Sequence, residues 1–322
     1  MKPAGRVELH THLEGSVTPA RLILLAEKYG QPGLPAACLD ADGSSYRFDG
    51  FLGFLDLFKD VTSVLRSPAD FHLVARDLGV QLAADGVEYA EVSLSYGVMQ
   101  MRGINPVLVQ EALAEAAAEV AETAGITLRW IPDAVRQWGV EKAWPTWEAA
   151  ATAGRALGVV GFGLGGDEAL GPAGDFAKLF AEVKAEGFGI SIHAGEVPSL
   201  GPAAIASVRQ AVEDCGADRI GHGLVAPADP MVMATLAARE VFVELCPGSN
   251  LKTGGIATWA DHPLRAFLAA GIPCCLNTDD RTLFDIDLTR EYAQAAEHAG
   301  LTAAEHDRMQ KAARKAAFDH TG

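Results

Sequence analysis

Eight short apolar runs recur along the chain: residues Gly5–Leu9, Val87–Leu94, Thr127–Pro132, Val159–Leu164, Gly189–His193, Arg219–His222, Val241–Leu245 and Pro273–Asn277. Between most of them lie longer stretches rich in Ala, Leu and Glu, and Val107–Thr123 carries the clearest helical spacing of apolar residues. Gly125, Gly187 and Gly271 stand where a helix must stop before the next run. Strands that alternate with helices predict a parallel sheet, and eight such units predict a (β/α)8 TIM barrel, as one domain over residues 1–322. One connection is too long for a single helix. From His10 to Gly86 there is room for several, which predicts extra helices inserted after strand 1 and capping the barrel mouth. Inside that insertion Gln31–Asp49, with Pro32, Gly33, Pro35 and Gly43, reads as a surface excursion.

Composition narrows the function classes. A hydrophobic fraction of 49% is too high for disorder. With 42 acidic against 26 basic side chains the net charge is −16, and no run of Lys and Arg offers a basic patch, so neither nucleic acid nor an anionic membrane is an expected partner. The five cysteines, Cys38, Cys215, Cys246, Cys274 and Cys275, are odd in number and form no C-x-x-C, which excludes both a disulfide framework and a cysteine zinc site. Met1–Val7 lacks the apolar segment of a secretory signal, and no apolar stretch is long enough for a membrane span. The expectation is a cytoplasmic enzyme.

In a barrel of this kind the site lies at the C-terminal ends of the strands. Strand 1 ends in His10-Thr11-His12, strand 5 in His193-Ala194-Gly195-Glu196, strand 6 in Gly221-His222-Gly223 and strand 8 in Asn277-Thr278-Asp279-Asp280. Histidines two apart on a strand share a face, so His10 and His12 can bind one ion, with His193 and Asp279 completing the set. Three imidazoles and a carboxylate suit one Zn2+ per subunit and leave a position for water. Glu196, His222 and Asp280 are then free to be catalytic. Each feature alone has a plainer reading: a core histidine, a turn, a helix cap. Their convergence on one rim favours a metal hydrolase. His72, His262, His298, His306 and His320 fall in helical or loop patterns and read as structural. Gly161–Glu168 lacks the G-x-G-x-x-G spacing of a dinucleotide site and reads as backbone close to a flat ligand.

These segments, together with Leu13-Glu14-Gly15-Ser16, Arg219–Gly223 and Cys246-Pro247-Gly248-Ser249-Asn250, resemble the adenosine deaminase family of the amidohydrolase superfamily, from the first strand to the last. The resemblance implies zinc on His10, His12, His193 and Asp279, with Glu196 by the purine N1. It further implies that His222 orients and deprotonates water, and that Asp280 contacts the water and N7. Gly166 would offer its N–H to N3, with His12 and Glu14 near the sugar. Attack on an aromatic C6 needs a strong nucleophile, which zinc draws from water at neutral pH, and a carboxyl group of raised pKa to protonate N1. The other zinc deaminase design, H-x-E with P-C-x-x-C, is absent, and strand 4 has no lysine to bridge two metals.

The substrate expected is a small purine nucleoside. Adenosine deaminases of this family usually have Asp at the position of Glu14 and often Pro at that of Arg281, whereas its adenine deaminases also carry Glu at the first position. Tyr89–Met99 and Arg129–Gln137 are similar to the branch that deaminates 6-aminodeoxyfutalosine, a benzoate-bearing adenine nucleoside of menaquinone synthesis. Arg102, Arg136 and Arg281 are candidates to pair with that benzoate, or else ordinary structural ion pairs. The order of expectation is aminodeoxyfutalosine, then adenosine, then adenine. A catalytically dead purine- or zinc-binding homologue would lack a site residue, and none is missing. A hydrolase of amides or phosphoesters would show a second metal.

Overall fold

The computed structural model describes residues 5–319; His320 and Met1–Ala4 lie outside the described residues. Eight parallel strands follow one another around a barrel in the order of the sequence. They are β1 (Arg6–His12), β2 (Val87–Leu94), β3 (Thr127–Val135), β4 (Gly161–Gly165), β5 (Gly189–Ala194), β6 (Arg219–His222), β7 (Phe242–Leu245) and β8 (Cys274–Leu276). This is the (β/α)8 barrel that the alternation predicts. The helix expected at Val107–Thr123 spans Pro106–Ala124, and Gly125 ends it at φ +71. All five cysteines are free and buried. No helix among the described residues is long and apolar enough to cross a membrane.

Two strands run further than their apolar residues suggest. β1 continues through His10, Thr11 and His12, because Thr11 and His12 pair with Val92 and Ser93 of β2. β3 continues past Pro132 because Asp133, Ala134 and Val135 pair with Gly163, Leu164 and Gly165. In both cases backbone pairing to a neighbour outweighs side chains that look like loop. His10, His12 and Asp133 therefore sit on strands.

β8 meets β1 through the site itself. His12 donates its backbone N–H to Asp279 O (2.9 Å), and Asp279 donates to His10 O (3.0 Å). Below them Leu9 donates to the Asn277 Oδ1 (3.0 Å).

The insertion after β1 holds α1 (Pro19–Lys28), α2 (Leu34–Cys38), α3 (Gly50–Thr62) and α4 (Pro68–Ala84). The excursion at 31–49 thus contains one short helix. Asp70 ties the insertion together. Its fully buried carboxylate accepts from Ser67 N–H (2.8 Å) at the head of α4, and from Lys28 Nζ (2.6 Å) and Tyr29 OH (2.5 Å) at the tail of α1. This is a capping box that also fastens a second helix.

Candidate active site

β1 points His10 and His12 into the barrel mouth, β5 adds His193, and the turn after β8 adds Asp279. Their donor atoms all lie within 4.8 Å of one another. His12 Nε2 is 3.2 Å from His193 Nε2 and 3.2 Å from Asp279 Oδ1, and His10 Nε2 is 3.4 Å from that oxygen. The opposite ring nitrogens of two of them are already committed. His10 Nδ1 contacts Glu244 Oε2 at 2.7 Å, and His193 Nδ1 donates to Leu164 O at 3.2 Å. Those partners fix the protons on Nδ1, so lone pairs on Nε2 converge on one point. His10 Nε2 is buried and has no hydrogen-bond partner among the described residues. Converging lone pairs repel unless a cation lies between them. A tetrahedral ion with bonds of about 2.0–2.1 Å spaces its donors about 3.3 Å apart. The four residues fit such an ion.

The support beneath the cluster is charged and buried. Glu244 pairs with Arg219 Nε (2.5 Å), and Arg219 Nη1 with Glu91 (2.5 Å). Ser249 Oγ donates to Asp279 Oδ2 at 2.6 Å. Burial alone would raise Asp279, but the His10 and His12 imidazoles beside it hold it well below the usual carboxylate range. Two site residues take the left-handed region without being glycine, His222 at φ +65 and Asp279 at φ +60. Such strain persists only where the surroundings enforce it. Gly221 leaves the space that His10 needs: a Cβ there would lie 2.7 Å from His10 Cε1.

Glu196, His222 and Asp280 gather beside the four donors. His222 Nε2 is 3.7 Å from Glu196 Oε1 and 3.9 Å from Asp279 Oδ2. Burial pushes His222 down to about 3, so its ring is neutral. Its Nδ1 meets the Asn250 side-chain amide at 3.2 Å. The structure sets Asn250 Nδ2 against that nitrogen and leaves its Oδ1 without a partner among the described residues; turning the amide over brings the oxygen to Nδ1 and leaves Nε2, which faces Glu196 and Asp279, as the acceptor. Burial, then the charges of Asp279 and Glu168, raise Glu196 to about 8. Burial and Asp279 raise Asp280 to about 8. The mouth thus holds a neutral base and a carboxyl group that keeps its proton at neutral pH, which is the pairing that acid–base chemistry needs.

Glu14 lies on the turn after β1, is buried, and accepts the Ser95 N–H at 2.9 Å. Burial raises it to about 7. Gly166 closes β4 at φ +98. Of the three arginines, Arg281 pairs with Asp85 (2.9 Å), and Arg136 is fully buried and donates to His193 O. Both are engaged within the protein. Arg102 is engaged as well, donating to the carbonyls of Lys59 and Thr62 and to Thr62 Oγ1 at the end of α3, beside a small cavity lined by Glu14, Thr62 and Val98.

Reasoning from strand ends overlooks Glu244 and Glu91, which lie inside strands, and takes Arg219, the first residue of β6, only as part of the Arg219–Gly223 segment. The signal is present, since each is a charge set within an apolar run that the barrel buries. Asp133 is similar. It is buried on β3, raised to about 6 by burial, and placed where Gly163 leaves room for it.

The family model for adenosine deaminase matches residues 5–321. The chain belongs to the adenosine deaminase family. It is accordingly a deaminase, a metal-dependent hydrolase acting on adenine-containing substrates. An aminodeoxyfutalosine deaminase of Acidothermus cellulolyticus is 38% identical over 295 residues, covering 90% of this chain and 82% of that one. An adenine deaminase of Mesorhizobium japonicum is 34% identical over 313 residues, covering 97% and 94%. A zinc-bound amidohydrolase from Burkholderia ambifaria superposes with a TM-score of 0.87 at 26% identity, covering 98% and 86%. The names of the two deaminase relatives differ in the adenine compound each deaminates.

Proposed function

We propose that this deaminase hydrolyses the 6-amino group of 6-aminodeoxyfutalosine, releasing ammonia and the 6-oxopurine, with one zinc ion held by His10, His12, His193 and Asp279. The observation that carries the deaminase chemistry is Glu196, a buried carboxyl raised to about 8 and set 3.7 Å from the neutral His222. The three-imidazole, one-carboxylate donor set supports zinc, and so does the zinc-bound neighbour. When bound, zinc supplies a strong nucleophile from water at neutral pH.

The protein's own groups do the rest. Glu196 donates its proton to N1, which relieves the charge that builds on the ring as C6 is attacked. His222 takes a proton from the attacking water, held in its orientation by Asn250. Asp280, raised to about 8, donates its proton to the ring N7 and accepts from that water through its other oxygen. The Gly166 N–H donates to N3. The ammonia leaves once its nitrogen has gained a proton from this relay.

On the sugar side, His12 and Glu14 face the nucleoside. Arg102 lines a cavity of only about 10 Å³ with Glu14 and is the candidate for the benzoate, which it reaches only by releasing the carbonyls of Lys59 and Thr62. The nearer identity and the Tyr89–Met99 segment support this substrate. Adenine is a second reading, favoured by adenine deaminase relatives that match 94% of their own length. Steady-state kcat/KM on aminodeoxyfutalosine, adenosine and adenine, followed by ammonia release, decides. A preference of tenfold or more for the first is expected. A preference for adenine replaces that reading, and Arg102→Met losing equally on adenosine removes Arg102 from carboxylate recognition.

A further inference from the structure

The loop after β4 carries a carboxylate that the scheme above does not use. Glu168 Oε1 accepts the backbone N–H of Gly195 (2.5 Å), and Oε2 accepts those of Glu196 (3.0 Å) and Val197 (3.1 Å). Three consecutive amides can turn onto one side chain only where the backbone bends sharply. Gly195 provides the bend at φ +72, and a Cβ there would meet Val208 Cγ2 at 2.7 Å. The segment so gripped is the one that presents Glu196.

Glu168 is itself anchored. The Asp167 N–H donates to Gln137 Oε1 (3.1 Å), and Gly166 lies so close that a Cβ would come within 2.2 Å of the same oxygen. Gly171 packs on the Arg136 backbone, where a Cβ would lie 2.4 Å from the carbonyl oxygen. The buried Arg136 donates to His193 O, at the start of the gripped segment, and Glu168 and then Glu196 are the charges that act on it most. The end of β3, the loop after β4 and the end of β5 are thus joined through one acid and one base.

We propose that Glu168, backed by Arg136, is a positioning residue that clamps the His193–Val197 turn so that Glu196 meets the substrate ring in one orientation. Hydrogen bonds to an ionised acceptor are the strong kind, and a reacting group displaced by about 1 Å can lose on the order of 100-fold in rate. The kinetic part of this proposal rests on Glu196 being the ring acid; the clamp itself does not.

Glu168→Gln sets an amide NH2 against backbone donors, and Glu168→Asp withdraws the carboxylate by one methylene. In the zinc-loaded protein we expect Glu168→Gln to lower kcat about 100-fold with KM within threefold, metal content unchanged, and Glu168→Asp to recover part of kcat. Hydrogen exchange of peptides spanning the His193–Val197 turn is expected to speed up at least tenfold in Glu168→Gln, with the rest of the barrel unchanged. Unchanged exchange together with kcat within twofold of wild type overturns the clamp. If the wild type turns over none of aminodeoxyfutalosine, adenosine and adenine, the substrate reading has failed, and the exchange result alone upholds or overturns the clamp.

Discussion

In the proposed reaction, function depends on a single proton at Glu196. Burial, reinforced by the carboxylates of Asp279 and Glu168, raises this group to about 8, so it stays protonated through neutral pH and can donate to the ring. The sign follows directly: the active form is the acid, so kcat/KM should hold below about pH 8 and fall as pH rises through that value. A profile that stays flat to pH 9.5 would remove Glu196 from the role. Glu196→Gln keeps the shape and loses the proton, and a fall of about 10²–10⁴-fold in kcat is expected at unchanged metal content. Gly221 tests the packing behind the donors. Gly221→Ala places a methyl 2.7 Å from His10 Cε1, and overpacking of that kind costs about 1–3 kcal/mol. Elemental analysis should find less than one metal per chain in this variant; a full complement would show that the imidazole shifts freely. The donors themselves were legible in the sequence, because His10, His12, His193 and Asp279 each end an apolar run at the same rim. Glu244 and Glu168 were not, since one is concealed within a strand and the other acts on backbone amides, which leave no trace in residue types.

Among the elements, the strands were easier to read than their ends. Apolar runs located all eight, yet β1 and β3 extend over His10–His12 and Asp133–Val135 because main-chain pairing with β2 and β4 continues where apolar side chains stop. The insertion was legible only as surplus length, since its order depends on tertiary contacts such as those of Asp70. That carboxylate serves α4 as a cap and α1 as an anchor. Asp70→Ala strands the Ser67 N–H and the Tyr29 hydroxyl, and a loss of about 2–3 kcal/mol is expected in urea unfolding, at the level of hydrogen bonds to a charged group. A loss below 0.5 kcal/mol would mean that α1 and α4 are held by their apolar contacts alone.

For the molecule as a whole, a metal ion held by the four proposed donors would contribute to the fold as well as to the reaction. An ion that binds only the native state stabilises it by about 2.7 kcal/mol at 100 times its Kd, so chelation should lower the Tm and zinc should restore it. A Tm indifferent to chelator would place the four donors in a site rigid without any ion. The seam between β8 and β1 adds a constraint in time. The bond from Thr11 Oγ1 to Asp279 O joins residues 268 apart, and the same two segments supply three of the four donors. During synthesis His10 and His12 leave the ribosome first and wait for nearly the entire chain before Asp279 can reach them. Until then the nascent protein has a barrel with an open stave and an incomplete set of donors. Closing the ring and bringing the four donors together are therefore one event, and capture of an ion there would report that the last strand has docked.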